Sequence, residues 1–112
     1  MIDFPVSCAE PEKGVSKDFV PDLPASEQIS VFGSQIPLAA ASFKVKLSIA
    51  AWNTKPSWYI VATNDRIINP DLERSLAKRM DAKTTEIPSS QVGMLSHPKE
   101  TAAVIIQAAA GK

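Results

Sequence analysis

Residues Pro56 to Asp71 read Pro-Ser-Trp-Tyr-Ile-Val-Ala-Thr-Asn-Asp-Arg-Ile-Ile-Asn-Pro-Asp. Trp58 to Ala62 is an unbroken apolar run of strand length, rich in aromatic and β-branched side chains. That is the composition of a strand buried on both faces. A polar turn follows, with Asp65 at its centre. Asn69 is a good helix N-cap, Pro70 suits the first helical position, and Asp71 sits well against the positive end of the helix dipole. In open α/β sheets chemistry gathers outside the carboxyl ends of the strands, which is where this turn puts Asp65.

Downstream, Leu72, Leu76 and Met80 recur at spacing four and predict one apolar stripe on a helix of about three turns. Asp71, Glu73, Arg74, Lys78 and Arg79 read as its solvated face, with Asp71 and Arg74 spaced to pair. Thr84 to Ile87 reads as a short second strand. Pro88 to His97 reads as a loop, and Pro98 opens a last helix with Ala102, Ile105, Ile106 and Ala109 on its face. Strand, helix, strand, helix implies parallel strands joined by a right-handed crossover. Parallel pairs normally lie inside wider sheets, so the pattern reads as the terminal portion of a larger sheet.

Upstream the signal is weaker. Residues 1–23 mix prolines and charges with little periodicity and read as a loop or disordered arm. Pro24 to Gly33 predicts a helix with Pro24 in its first turn and Ile29 and Phe32 on one face. Pro37 to Phe43 is alanine-rich and reads as a second short helix. The chain thus divides into an arm (1–23), a helical cover (24–51) and an α/β portion (52–112). Trp58 reads as a strand core residue, and Phe32, Phe43 and Met94 as packing residues.

Composition excludes several function classes. Twelve Lys and Arg balance twelve Asp and Glu, so nothing attracts nucleic acid or an anionic membrane. Cys8 and His97 are the only cysteine and histidine. An internal disulfide is therefore impossible, and a tetrahedral zinc site built from soft ligands is too. No metal or other cofactor is expected. No apolar run approaches the ~18 residues of a membrane helix. Met1-Ile2-Asp3 lacks the basic start of a signal peptide, and a cytoplasmic location is the expectation.

Lys55 to Arg66, followed by Asn69-Pro-Asp-Leu-Glu-Arg74 and Ala77-Lys-Arg-Met80, resembles the C-terminal part of the α/β-hydrolase superfamily, most closely its small bacterial esterase-type members. The likeness continues through Glu86-Ile-Pro-Ser-Ser-Gln-Val-Gly-Met-Leu-Ser-His-Pro98 into the last helix. It extends more weakly to Lys17-Asp-Phe-Val-Pro-Asp-Leu-Pro-Ala25. The resemblance implies that Trp58 to Ala62 is the penultimate strand of such a sheet and Thr84 to Ile87 the last. It also implies ester hydrolysis by a triad in the order nucleophile, acid, histidine.

Asp65 matches the acid position, where a carboxylate orients the histidine and stabilises its imidazolium. On spacing alone it reads equally as a turn aspartate bonded to its own backbone. The histidine of the family lies about seven residues before the proline that opens the final helix; counting back from Pro98 gives Gln91. A glutamine cannot accept and return a proton near neutral pH. The nucleophile elbow G-x-S-x-G has no match, because the four glycines (14, 33, 93 and 111) are nowhere four apart. His97 reads as a polar residue ahead of the helix rather than a displaced base, and Cys8 as a free thiol.

The expectation is a truncated, catalytically incompetent hydrolase relative, acting on a small-molecule ester only if another chain complements it. The alternative is a non-catalytic interaction module that pairs, with itself or a partner protein, through an exposed strand edge.

Overall fold

The computed structural model describes residues 7–111. The first strand, β1 (Ser7–Cys8), pairs antiparallel with β2 (Leu38–Ala39). Between them lie α1 (Glu12–Gly14), which continues as a π-helical turn over Val15–Phe19, and α2 (Ala25–Gly33). Turns of 3-10 helix at Ala40–Lys44 and Ala51–Asn53 lead to β3 (Trp58–Ala62). Then come α3 (Pro70–Arg79), β4 (Lys83–Ile87), the short α4 (Gly93–Ser96) and α5 (Pro98–Ala109).

The apolar run Trp58–Ala62 is β3 itself. It lies parallel to β4, with Trp58 opposite Lys83 and Ala62 opposite Ile87. The crossover is α3, and its start follows local chemistry: Asn69 Oδ1 accepts the Asp71 amide at 2.8 Å, and Pro70 fills the first turn. Its end is marked by Asp81 at φ 51°, a left-handed position that aspartate tolerates. The strand–helix–strand–helix order and the parallel pairing agree with a partial α/β-hydrolase sheet.

The helix faces differ from the expected ones. On α3 the buried residues are Glu73 and Ala77, while Leu72 and Leu76 are exposed. On α5 Val104 is buried, whereas Ile105 and Ile106 are about two-thirds exposed. The cause is the width of the sheet. Two strands about 4.8 Å apart offer a surface no broader than one helix. Residues of both helices line pockets on the Trp58–Ile60–Ala62 side of β3, so each meets the sheet with one row of side chains. That row holds Glu73 and Ala77 on α3 and Val104 on α5.

Three upstream expectations are also corrected. The stretch expected as a loose arm is helical over 12–19, and Val15, Val20 and Leu23 are buried with Phe19, Val31 and Val92 packed against them. Val15, Phe19 and Leu23 do recur at the helical spacing of four, but Pro11, Pro21, Pro24 and the mixed charges masked that signal. Ile29 and Phe32 are exposed on α2, and Gln28 instead turns inward, its amide donating to the carbonyls of Val20 and Leu23. The alanine-rich stretch 37–43 begins as β2 and becomes a 3-10 turn rather than a helix.

Candidate functional site

The parallel ladder does not stop where the strands do. The Thr63 amide donates to the Ile87 carbonyl at 2.9 Å and the Asn64 amide to the Ser89 carbonyl at 3.1 Å. The segments after β3 and β4 therefore leave the sheet side by side. Asp65 closes the first, its amide bonded to the Ala62 carbonyl at 3.1 Å. Gln91 stands in the second.

Asp65 is 7% exposed. Its Oδ1 accepts the backbone amides of Ile67 at 2.8 Å and Ile68 at 3.0 Å. It is thus a turn aspartate in the sense that spacing alone suggested. The same carboxylate also faces Gln91. A carboxylate only accepts, so the hydrogen-bond network orients the Gln91 amide nitrogen toward it. In that orientation Gln91 donates to Asp65 Oδ1 at 3.0 Å and also to Oδ2. The two residues singled out in the sequence are therefore brought together.

His97 is elsewhere. Its Nδ1 lies 2.9 Å from Ser96 Oγ, and its amide donates to the Gly93 carbonyl at 2.7 Å. No described hydrogen bond joins it to Asp65. The Cys8 side chain lies outside the described residues.

Sequence reading missed two carboxylates near this site. Glu73, expected on a solvated face, is 6% exposed. Its Oε2 accepts the Ala62 amide at 3.0 Å, at the last residue of β3. Burial pushes its carboxyl above the ordinary value; the Ala62 amide pulls it back, and Asp65 nearby pushes it up further. Burial, with Glu73 and Asp65 behind it, likewise pushes the Tyr59 phenol up. The signal for Glu73 was its place four residues ahead of Ala77, on the same face of α3.

The second is Asp22. Its Oδ2 accepts the Ser90 amide at 2.9 Å and its Oδ1 the Ser90 hydroxyl. Burial pushes the Asp22 carboxyl up, but the bonds from the Ser90 hydroxyl, the Ser90 amide and Ser96 outweigh it and hold it below its ordinary value. Arg66, next to Asp65, pairs with Asp18 at 2.8 Å. The N-terminal helical turns thus clasp both loops that carry the site. No local pattern announces pairs so far apart in sequence.

Beside Gln91 is a pocket of about 170 Å³, whose lining includes Glu73, Ser89, Met94 and Thr101. Gly93 closes it tightly: a Cβ there would lie 2.8 Å from Ser89 Oγ and 2.9 Å from Ile87 Cδ1. Met94, which lines the pocket, and Phe43 are both exposed, so neither is buried as a packing residue. Trp58 is half-buried under the Lys83 ammonium, 5.3 Å from its ring centre. Among the described residues no group of three or more His, Cys, Asp or Glu is placed to hold a metal ion. No described helix is long and apolar enough to cross a membrane.

The arrangement holds one carboxylate against one amide. It can orient and hydrogen-bond, but the amide cannot relay a proton. A family model described as the alpha/beta hydrolase family matches residues 4–104. No curated protein and no solved structure matched the chain.

Proposed function

From the premise that this chain belongs to the alpha/beta hydrolase family, we propose that it is a hydrolase relative that does not hydrolyse esters by itself. Asp65 holds the place of the acid and Gln91 the place of the base. The observation that carries this reading is the Gln91 amide lying against the Asp65 carboxylate, where a histidine would be oriented. Glutamine preserves that contact and loses the proton transfer. The 112 residues also hold no G-x-S-x-G elbow. In a serine hydrolase, loss of nucleophile or base alone costs on the order of 10⁶ in kcat.

The experiment is a Gln91→His substitution followed by NMR titration of the introduced imidazole. With Asp65 beside it, the imidazole is expected to titrate roughly one to three pH units above the ordinary histidine value. Adding Asp65→Asn removes that rise. An imidazole that titrates at the ordinary value with Asp65 intact would sink the assignment. The unmodified chain is expected to cleave p-nitrophenyl acetate at the buffer rate; turnover abolished by Asp65→Asn would overturn the proposed incompetence.

A second reading is favoured by the strands themselves. β4 carries Lys83 and Glu86, the charged side chains of a protected sheet edge. β3, Trp-Tyr-Ile-Val-Ala, carries none, yet pairs only with β4 among the described strands. An interior-type strand with an open edge is a site for strand addition.

A further inference from the structure

The register fixes which groups of β3 are free. The Lys83 amide donates to the Ser57 carbonyl and the Thr63 amide to the Ile87 carbonyl. In a parallel ladder of this register, Tyr59 and Val61 turn their amides and carbonyls to β4. Trp58, Ile60 and Ala62 turn theirs the other way. Glu73 takes the Ala62 amide. The outward groups of Trp58 and Ile60 have no partner among the described residues, and neither does the buried Trp58 indole N–H.

The same chain carries a segment with the sequence pattern of a strand that forms none by itself: Phe43 and Lys44 end the 3-10 turn, and 45–49 are irregular. Residues 43–49 read Phe-Lys-Val-Lys-Leu-Ser-Ile, strictly alternating. Once the segment is extended, Phe43, Val45, Leu47 and Ile49 share one face by the two-residue period. They are 72%, 73%, 84% and 77% exposed. A strand-patterned segment so exposed is a donor without an acceptor.

The segment makes no ladder with its own β3 among the described strands. The connector folds into a tight turn, with the Asn53 amide on the Ala50 carbonyl at 3.0 Å and the Lys55 amide on Ala51 at 2.9 Å. Donor and acceptor thus exist in every copy and do not meet within one.

We propose that the occupant of the β3 edge is a second copy of this chain, which adds residues 43–49 as a strand. The proposal rests on the edge reading above and names the partner. Seven residues span the five of β3. Their apolar face meets the apolar groove that Trp58, Ile60, Met80 and Ile105 line along that strand. Lys44 and Lys46 fall on the opposite face. Four side chains of on the order of 100 Å² each, about three-quarters exposed, exchanged reciprocally, bury on the order of 1,000 Å² in total, the lower bound for a stable interface.

The test uses the whole chain. Light scattering over a concentration range up to about 200 μM is expected to pass from 12.0 kDa to twice that mass or more. Hydrogen exchange read by NMR is expected to slow at the Trp58 and Ile60 amides by at least about tenfold across that transition. Leu47→Pro, at an exposed position, is expected to stay at the single-chain mass with fast Trp58 and Ile60 amides. Val45→Glu repeats the test should the proline disturb the fold.

A mass of one chain at every concentration overturns the proposal. If Leu47→Pro and Val45→Glu associate as the parent does, with the amides protected, residues 43–49 are not the donor: the proposal falls while the edge reading stands. An association that leaves both amides fast overturns both.

Discussion

Glu73 is a carboxylate placed where burial disfavours its charge, and it is kept there by one backbone amide. The sign of its effect follows from linkage. Burial holds its folded value above the ordinary 4.5, so the folded chain binds this proton more tightly than the unfolded one. The group carries no such cost below 4.5, and stability falls as pH rises through the raised value. Glu73→Gln keeps an acceptor for the Ala62 amide and removes the charge. It is expected to match the parent in urea melts near pH 4 and to be more stable at pH 7. Glu73→Leu also removes the charge but leaves that amide unpaired, and is expected to be about 1–3 kcal/mol less stable than Glu73→Gln at either pH. Equal stability of Gln and Leu at pH 7 would mean that the Ala62 bond contributes nothing. At this scale Asp65 and Gln91 were legible because they stand at fixed offsets from a strand end and a helix-opening proline. Glu73 was not, because its burial is decided by which row of α3 meets the sheet.

Elements defined by their own residues were read almost to the residue. β3 and the start of α3 depend on an apolar run, an asparagine cap and a proline, all of which act locally. Burial of a helix face depends on the width of what it meets, and hydrophobicity alone pointed to Leu72, Leu76, Ile105 and Ile106. The helical turns of residues 12–19 escaped for a related reason: they pack against Val31 and Val92 and pair Asp18 with Arg66, and Asp22 just beyond them bonds to Ser90, all contacts distant in sequence. The tether from Asp22 to Ser90 has a pH dependence opposite to that of Glu73. The Asp22 carboxyl lies below its ordinary 3.8, so its contribution is fully present above 3.8 and disappears as pH falls through the lowered folded value. Asp22→Asn is expected to cost about 1 kcal/mol at pH 7, the usual figure for a charged hydrogen bond discounted for exposure to solvent. The difference from the parent should vanish at strongly acid pH. A constant difference across the titration would assign the tether to packing.

The molecule as a whole is loosely drawn together. Its radius of gyration is 16.2 Å, against about 13 Å for a compact domain of this length. Among the described residues eight apolar side chains are buried and fifteen large ones are exposed. The folded chain exposes 8340 Å², against roughly 6,000 Å² for a compact protein of its mass. Unfolding therefore exposes less new surface than it would in a compact domain, and denaturant sensitivity scales with that surface. Urea unfolding of the dilute Leu47→Pro variant is expected to give a slope at or below about 1 kcal/mol/M, at the low end for small proteins. A slope near 2 kcal/mol/M would mean that a larger core forms in solution.

The bond between Asp22 and Ser90 also sets an order of events during synthesis. Asp22 leaves the ribosome 68 residues ahead of Ser90, a lead of roughly 3–14 s at about 5–20 residues per second. Through that interval Val15, Val20 and Leu23 have Phe19 and Val31 for cover but not Val92. The half-made cluster is then open to whatever binds nascent apolar segments, and the last quarter of the chain, on emerging, closes it.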